Sequence, residues 1–138
     1  MANGTIAFDT LSTSGQISGT AKSVDTDYLA SGSAKAWVNL NGTGTIAIRE
    51  SFNVTSVTDH ATGDHTVTIN NDFSNANYSA VGCCLAGTGS GNNGQVVSSF
   101  GTAGGAPAGS LRFAVQYSSS QAKNDVDGIS IQFHGDIA

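Results

Sequence analysis

Apolar residues recur at every second position along most of this chain, and no helical period persists beyond one turn. Alternation of this kind sends one side chain into a core and the next away from it, which suits a sheet with one buried face. Ile6 and Phe8 open the pattern. Ala36, Val38 and Leu40 continue it between Lys35, Trp37 and Asn39, and Asn41-Gly42 closes that run with a favoured hairpin turn. Ile46 and Ile48 share the next face, followed by Phe52 and Val54. Val57 has the opposite parity, which predicts a bulge near Thr55-Ser56. Residues 54–58 and 65–69 flank a six-residue turn, with Val67 and Ile69 facing in. Residues 78–85 are almost continuously apolar and read as a strand buried on both faces. Gly-rich loops at 87–94 and 101–109 bracket a short strand, and Leu111, Phe113, Val115 and Tyr117, then Ile129, Ile131 and Phe133, complete the set. About eight strands at this spacing predict an all-β fold, an antiparallel β-sandwich or jelly roll.

Gly, Ser, Thr and Asn make up well over two fifths of the chain, which excludes a helical bundle. Leu, Ile, Val and Phe together supply only about a fifth of the residues, close to the compositional border of disorder. A thin core of this sort gains by burying further surface between copies, so a homo-oligomer is expected. The sparsest stretch is residues 9–33, where Leu11, Ile17, Val24, Tyr28 and Leu29 are the sizeable apolar groups. We therefore divide the chain into an N-terminal extended arm, residues 1–33, and a β-sandwich domain, residues 34–138. The arm orders itself on another surface, with Ile6, Phe8 and Tyr28 as its contact residues.

A net charge of −5 and pI near 4.7 argue against nucleic acid or an anionic membrane as partner. No apolar run approaches the roughly 20 residues that span a bilayer. Residues 1–4 lack a basic segment leading into an apolar core, so production in the cytoplasm is expected. Cys83 and Cys84 are adjacent, point to opposite faces of a strand, and read as two reduced small hydrophobic residues.

Enzyme signatures are weak. Residues 15–23 resemble a phosphate loop but lack the glycine before the lysine and any strand–loop–helix context. Glu50 is the single glutamate, beside Arg49, its expected surface neighbour, so paired carboxylates for glycoside cleavage would have to come from scattered Asp. Asp125-Val126-Asp127-Gly128 carries part of a calcium-loop pattern, but position 123 is Lys, and a turn is the better account. His60 and His65 frame one hairpin turn with Asp59 and Asp64. They are the weak candidates for a metal, which would need a symmetry axis to multiply the ligands. No cofactor is expected. Trp37, Tyr28, Tyr78 and Tyr117 could stack on a sugar, although such rings more often belong to a core or an interface. Trp37 shares parity with Lys35 and Asn39, so its nominally polar face should itself be covered.

One stretch adds a resemblance. Residues 33–54, with the opening Lys35-Ala36-Trp37-Val38-Asn39 and the turn Gly42-Thr43-Gly44-Thr45, resemble a module found in tail-fibre and other virion proteins of cyanobacterial and marine phages. Residues 57–67 and 76–81 continue the same pattern. The resemblance covers about a third of the chain directly and carries over no catalytic residues. It implies a non-enzymatic virion structural protein, a homotrimer acting as a tail-fibre or fibre-tip attachment module. Its partners would be other virion proteins, tail or major capsid protein, with a host-surface glycan as a ligand. A capsid decoration or cement protein is the alternative, and a carbohydrate-active enzyme the third reading.

Overall fold

A computed structural model describes residues 16–18, 23–85, 95–99 and 106–138. The chain divides into two compact units, Met1–Ser33 and Ala34–Ala138. In the first, β1 (Gln16–Ser18) pairs antiparallel with β2 (Ser23–Asp25), and α1 (Thr26–Gly32) follows directly. The described part of the expected arm is thus a short ladder and a seven-residue helix rather than continuous extended chain. Ile6 and Phe8 lie outside the described residues.

The second unit is a β-sandwich of two four-stranded antiparallel sheets. One has the order β4-β3-β10-β7, formed by Ala47–Phe52, Ala36–Asn41, Gly128–His134 and Ser79–Leu85. The other has the order β5-β6-β9-β8, formed by Val54–Ala61, Asp64–Ile69, Ser110–Tyr117 and Gln95–Ser99. The two packed antiparallel sheets are the all-β sandwich that the alternation predicts. The alternating residues meet between the sheets: Ala36, Val38 and Leu40 from β3, Ile129, Ile131 and Phe133 from β10, and Val67, Ile69, Leu111, Phe113 and Val115 from the facing sheet are all buried. Phe73 caps one end of this core, stacked on Tyr78 at 4.6 Å between ring centroids and tilted against Phe133.

The chain passes from one sheet to the other between β4 and β5 through Asn53 alone. Its φ of 55° lies in the left-handed region, which asparagine tolerates better than most residues. The side chain secures the corner. Its Nδ2 donates to the carbonyls of Lys35 (3.1 Å) and Asn71 (3.2 Å), and its Oδ1 accepts the Asn71 N–H at 2.8 Å.

Several local expectations need correction. Asn41-Gly42 is not a two-residue turn: residues 42–46 form the connection, and the left-handed residue is Gly44, at φ 65°. Asn41 instead folds over the loop, its Oδ1 accepting the Thr43 N–H and hydroxyl while its Nδ2 donates to the Thr43 carbonyl. The β5–β6 turn is shorter than predicted. The strands run on to Ala61 and from Asp64, leaving Thr62-Gly63 between them. The expected break near Thr55-Ser56 is present, since Val54 pairs with Ile69 while Ser56 pairs with Thr68. Finally, β7 is an edge strand with Val81 62% exposed, not a strand buried on both faces. Hydrophobicity alone cannot distinguish a central strand from an uncharged edge.

Candidate functional site

The register of the β4-β3-β10-β7 sheet decides which side chains face outward. Asn39 pairs with Glu50, but Leu40 pairs with Ile48, so Arg49 is an extra residue bulged out of the ladder. The bulge reverses the parity of β4. Ile46 and Ile48 pack on the core, whereas Phe52, expected on that same face, turns outward and lies opposite Trp37. Sequence alternation missed this because a bulge shifts the period by one without any turn residue to mark it. Trp37 also pairs with Gln132, and Gln132 with Val81. A single row therefore crosses the outer face: Phe52, Trp37, Gln132, Val81.

Phe52 is 56% exposed and Trp37 half-buried, leaving two adjacent aromatic side chains on the solvent face of a sheet. The expectation placed Trp37 on a covered face. Among the described residues of the sandwich unit that face presents both rings outward, Trp37 partly covered by its neighbours and Phe52 largely open. A cavity of about 310 Å³ opens beside Phe52, lined also by Lys35, Asn53, Asn70, Asn71 and Ile137. Phe52 thus links the row to the β4–β5 corner, where Ile137 is the other apolar side chain among polar ones. Tyr28, on α1, is 80% exposed. Tyr78 belongs to the core cluster instead, with its hydroxyl donating to the Ser110 carbonyl at 2.8 Å.

The structure does not bring the two histidines together. Asp59 pairs with His65, and His60 is the residue bulged between Asp59 and Ala61. His65 turns inward, 1% exposed, with its ring tilted against Phe113 at 5.6 Å. His60 is exposed, its Nε2 2.9 Å from Thr66 Oγ1. Asp59 Oδ1 approaches His65 Nδ1 at 3.2 Å and Asp125 Oδ1 lies 4.0 Å from Nε2, on opposite sides of the imidazole, so the two carboxylates do not converge on one point. Among the described residues no group of three or more His, Cys, Asp or Glu is placed to hold a metal.

The strongest electrostatic arrangement was not legible in the sequence. Asp64 is buried, and Arg112 from β9 donates to both of its oxygens, Nε to Oδ1 at 2.8 Å and Nη2 to Oδ2 at 3.0 Å. Lys123 adds a third bond, Nζ to Oδ2 at 2.7 Å. The Arg112 guanidinium above all, with the Lys123 ammonium, holds this carboxyl well below the usual carboxylate range, against burial, which pushes the other way. This network ties the β5–β6 hairpin to β9 and the following loop. It is structural, since both carboxylate oxygens are already engaged. Arg49, expected beside Glu50, reaches Asp127 Oδ1 at 2.7 Å instead.

Ionised Asp64 is favoured in the folded state, so its contribution is complete above about pH 4, the ordinary carboxylate value, and is lost as pH falls toward the depressed folded value. Arg112 and Lys123 are partly exposed and screened by solvent, which limits the effect of Asp64→Asn near neutrality to about 1–2 kcal/mol. Urea midpoints of the two proteins should converge as pH drops below about 4. A constant gap between them down to about pH 2 would contradict the ion-pair account.

The vicinal cysteines are free and separate as expected on a strand: Cys83 faces outward and exposed, Cys84 inward and half-buried, with burial first and Cys83 second raising its thiol pKa. Compared with protein-family models, curated proteins and solved structures, the chain matches none of them.

Proposed function

We propose that this chain is a non-enzymatic structural protein of a phage virion, a homotrimeric module of the tail-fibre type whose output is attachment and assembly rather than chemistry. The observation that carries the reading is the outward-facing Trp37–Phe52 pair, Trp37 half-buried and Phe52 exposed, beside the cavity at the β4–β5 corner. Two large rings side by side on the open face of a sheet form a patch of the kind that a partner covers. Three copies packed around an axis through this part of the face would enclose six rings. The thin apolar complement of the chain points the same way, because burial between copies adds what the monomer core lacks. The resemblance of residues 33–54 to virion modules supplies the biological setting.

Light scattering of the purified chain at low micromolar concentration should give a mass near three chains. A stable monomer under those conditions would sink the trimer. The first unit serves as the docking segment in this reading. Deleting residues 1–33, which cluster separately from Ala34–Ala138, should leave a cooperatively folding sandwich that no longer joins particles lacking the full-length chain. Undiminished incorporation would mean that the sandwich itself makes the attachment.

A further inference from the structure

The four strands that end the two sheets differ in how they are protected. β4 carries Arg49 and Glu50 and the bulge at Arg49, and β5 carries Asp59 and two register breaks. Charges and bulges on an edge are the usual means by which a sheet resists pairing with a foreign strand. These two edges lie on the same side of the sandwich, joined through Asn53. The opposite side is formed by β7 and β8, where Gly82 lets Val97 approach closely. Neither strand carries a charge or a proline, and neither ladder contains a register shift.

β8 is short, at five residues, which itself limits an edge. β7 has no such limit. It runs unbroken for seven residues, Ser-Ala-Val-Gly-Cys-Cys-Leu, and among the described residues β10 is its only ladder partner. A sandwich that blunts one side and leaves a regular, uncharged edge on the other has an edge adapted to pairing.

We propose that β7 pairs antiparallel with β7 of a second copy of this chain, making the β4-β3-β10-β7 sheet continuous across a twofold axis. The occupant follows from the edge itself. Self-pairing of residues 79–85 brings no like charges together, whereas pairing with β4 or β5 of another copy would meet charges and bulges. The inward positions are small, Ala80, Gly82 and Cys84, so no large side chain obstructs the approach. On the outer face Val81 and Cys83 are both exposed and would cover one another across the axis. Pairing symmetric about Gly82, the midpoint of the strand, sets Val81 beside Cys83 of the partner subunit and keeps inward residues on the core side. One strand per copy is a small contact, so this association is weaker than the threefold one and grows with concentration.

The contact uses the β7 edge, two strands along the same row from Trp37, and the two can be tested apart by substitutions on different strands. In a Phe52→Lys background, which opens the threefold contact, light scattering at high micromolar concentration should give a mass near two chains. Adding Val81→Lys and Cys83→Lys, both at exposed positions, should return it to one. Oxidised Val81→Cys protein should form a covalent dimer through Cys83 of the partner subunit on a non-reducing gel, which checks the pairing even if the lysine variant folds poorly. A Phe52→Lys protein that stays monomeric at high concentration, with no covalent dimer from Val81→Cys, overturns the edge pairing and leaves the threefold reading intact. A wild-type chain that forms only dimers, lost with Val81→Lys and Cys83→Lys, upholds the edge and removes the threefold contact instead.

Discussion

Gly63→Ala should be among the most destabilising single-methyl additions in this fold, costing about 3–4 kcal/mol. Gly63 sits at φ 61° in the β5–β6 turn, where a side chain is strained whatever the space around it. Space is also lacking. An added Cβ would lie 2.5 Å from the Val115 carbonyl oxygen and 2.6 Å from the Asn124 nitrogen, both backbone atoms that cannot turn aside. The turn is held there from both ends: the Gly63 N–H donates to Asp125 Oδ1 at 2.6 Å, and its carbonyl accepts the Val115 N–H at 3.0 Å. Gly44 provides the comparison. It has nearly the same φ, 65°, but nothing lies within 4 Å of its added Cβ, so Gly44→Ala should cost only the backbone strain, about 1 kcal/mol. Thermal unfolding of the two variants side by side should separate them by roughly 10 °C. Equal melting temperatures would mean that the hairpin tip is not packed against the loop before β10.

The second large effect concerns assembly. Trp37→Ala should weaken association by about 2–4 kcal/mol, which is roughly thirtyfold to a thousandfold in the dissociation constant. The ring is half-buried in the sandwich already, so part of any loss will appear in the stability of the subunit itself. Phe52→Ala gives the cleaner comparison, because that ring is more exposed and contributes less to the isolated fold. Both substitutions should lower the oligomer mass at a fixed low micromolar concentration. If both leave the mass and the melting temperature unchanged, the outer face is not where copies meet.

The fold was readable wherever alternation was regular. Ala36, Val38 and Leu40, Val67 and Ile69, and Ile129, Ile131 and Phe133 are all buried as their parity requires. Strand β9 kept the same rule at Leu111, Phe113 and Val115, although Ala114 between them is buried as well, since a methyl group fits either face. What was not readable depended on register. The bulge at Arg49 moved Phe52 from the core face to the outer one, and the Trp37–Phe52 pair exists because of that one-residue shift. The Asp64–Arg112–Lys123 network joins residues 48 and 59 positions apart, a proximity that no local spacing encodes. The same holds for His60 and His65. Their closeness in sequence suggested a shared ligand, yet strand pleating and the bulge at His60 sent them to opposite faces. Trp37 was legible, because a tryptophan in a polar column is conspicuous without any structure.

The central proposal, that this chain is a structural component of a phage virion, is tested most directly by quantifying it in purified particles of a phage whose genome carries its gene. Mass spectrometry against isotope-labelled peptides should find it at tens of copies per particle, in a multiple of three, and still present after a high-salt wash. Hundreds of copies would move it from the tail to the capsid while leaving the structural reading in place. Its absence from washed particles that otherwise contain their full set of structural proteins would contradict the account.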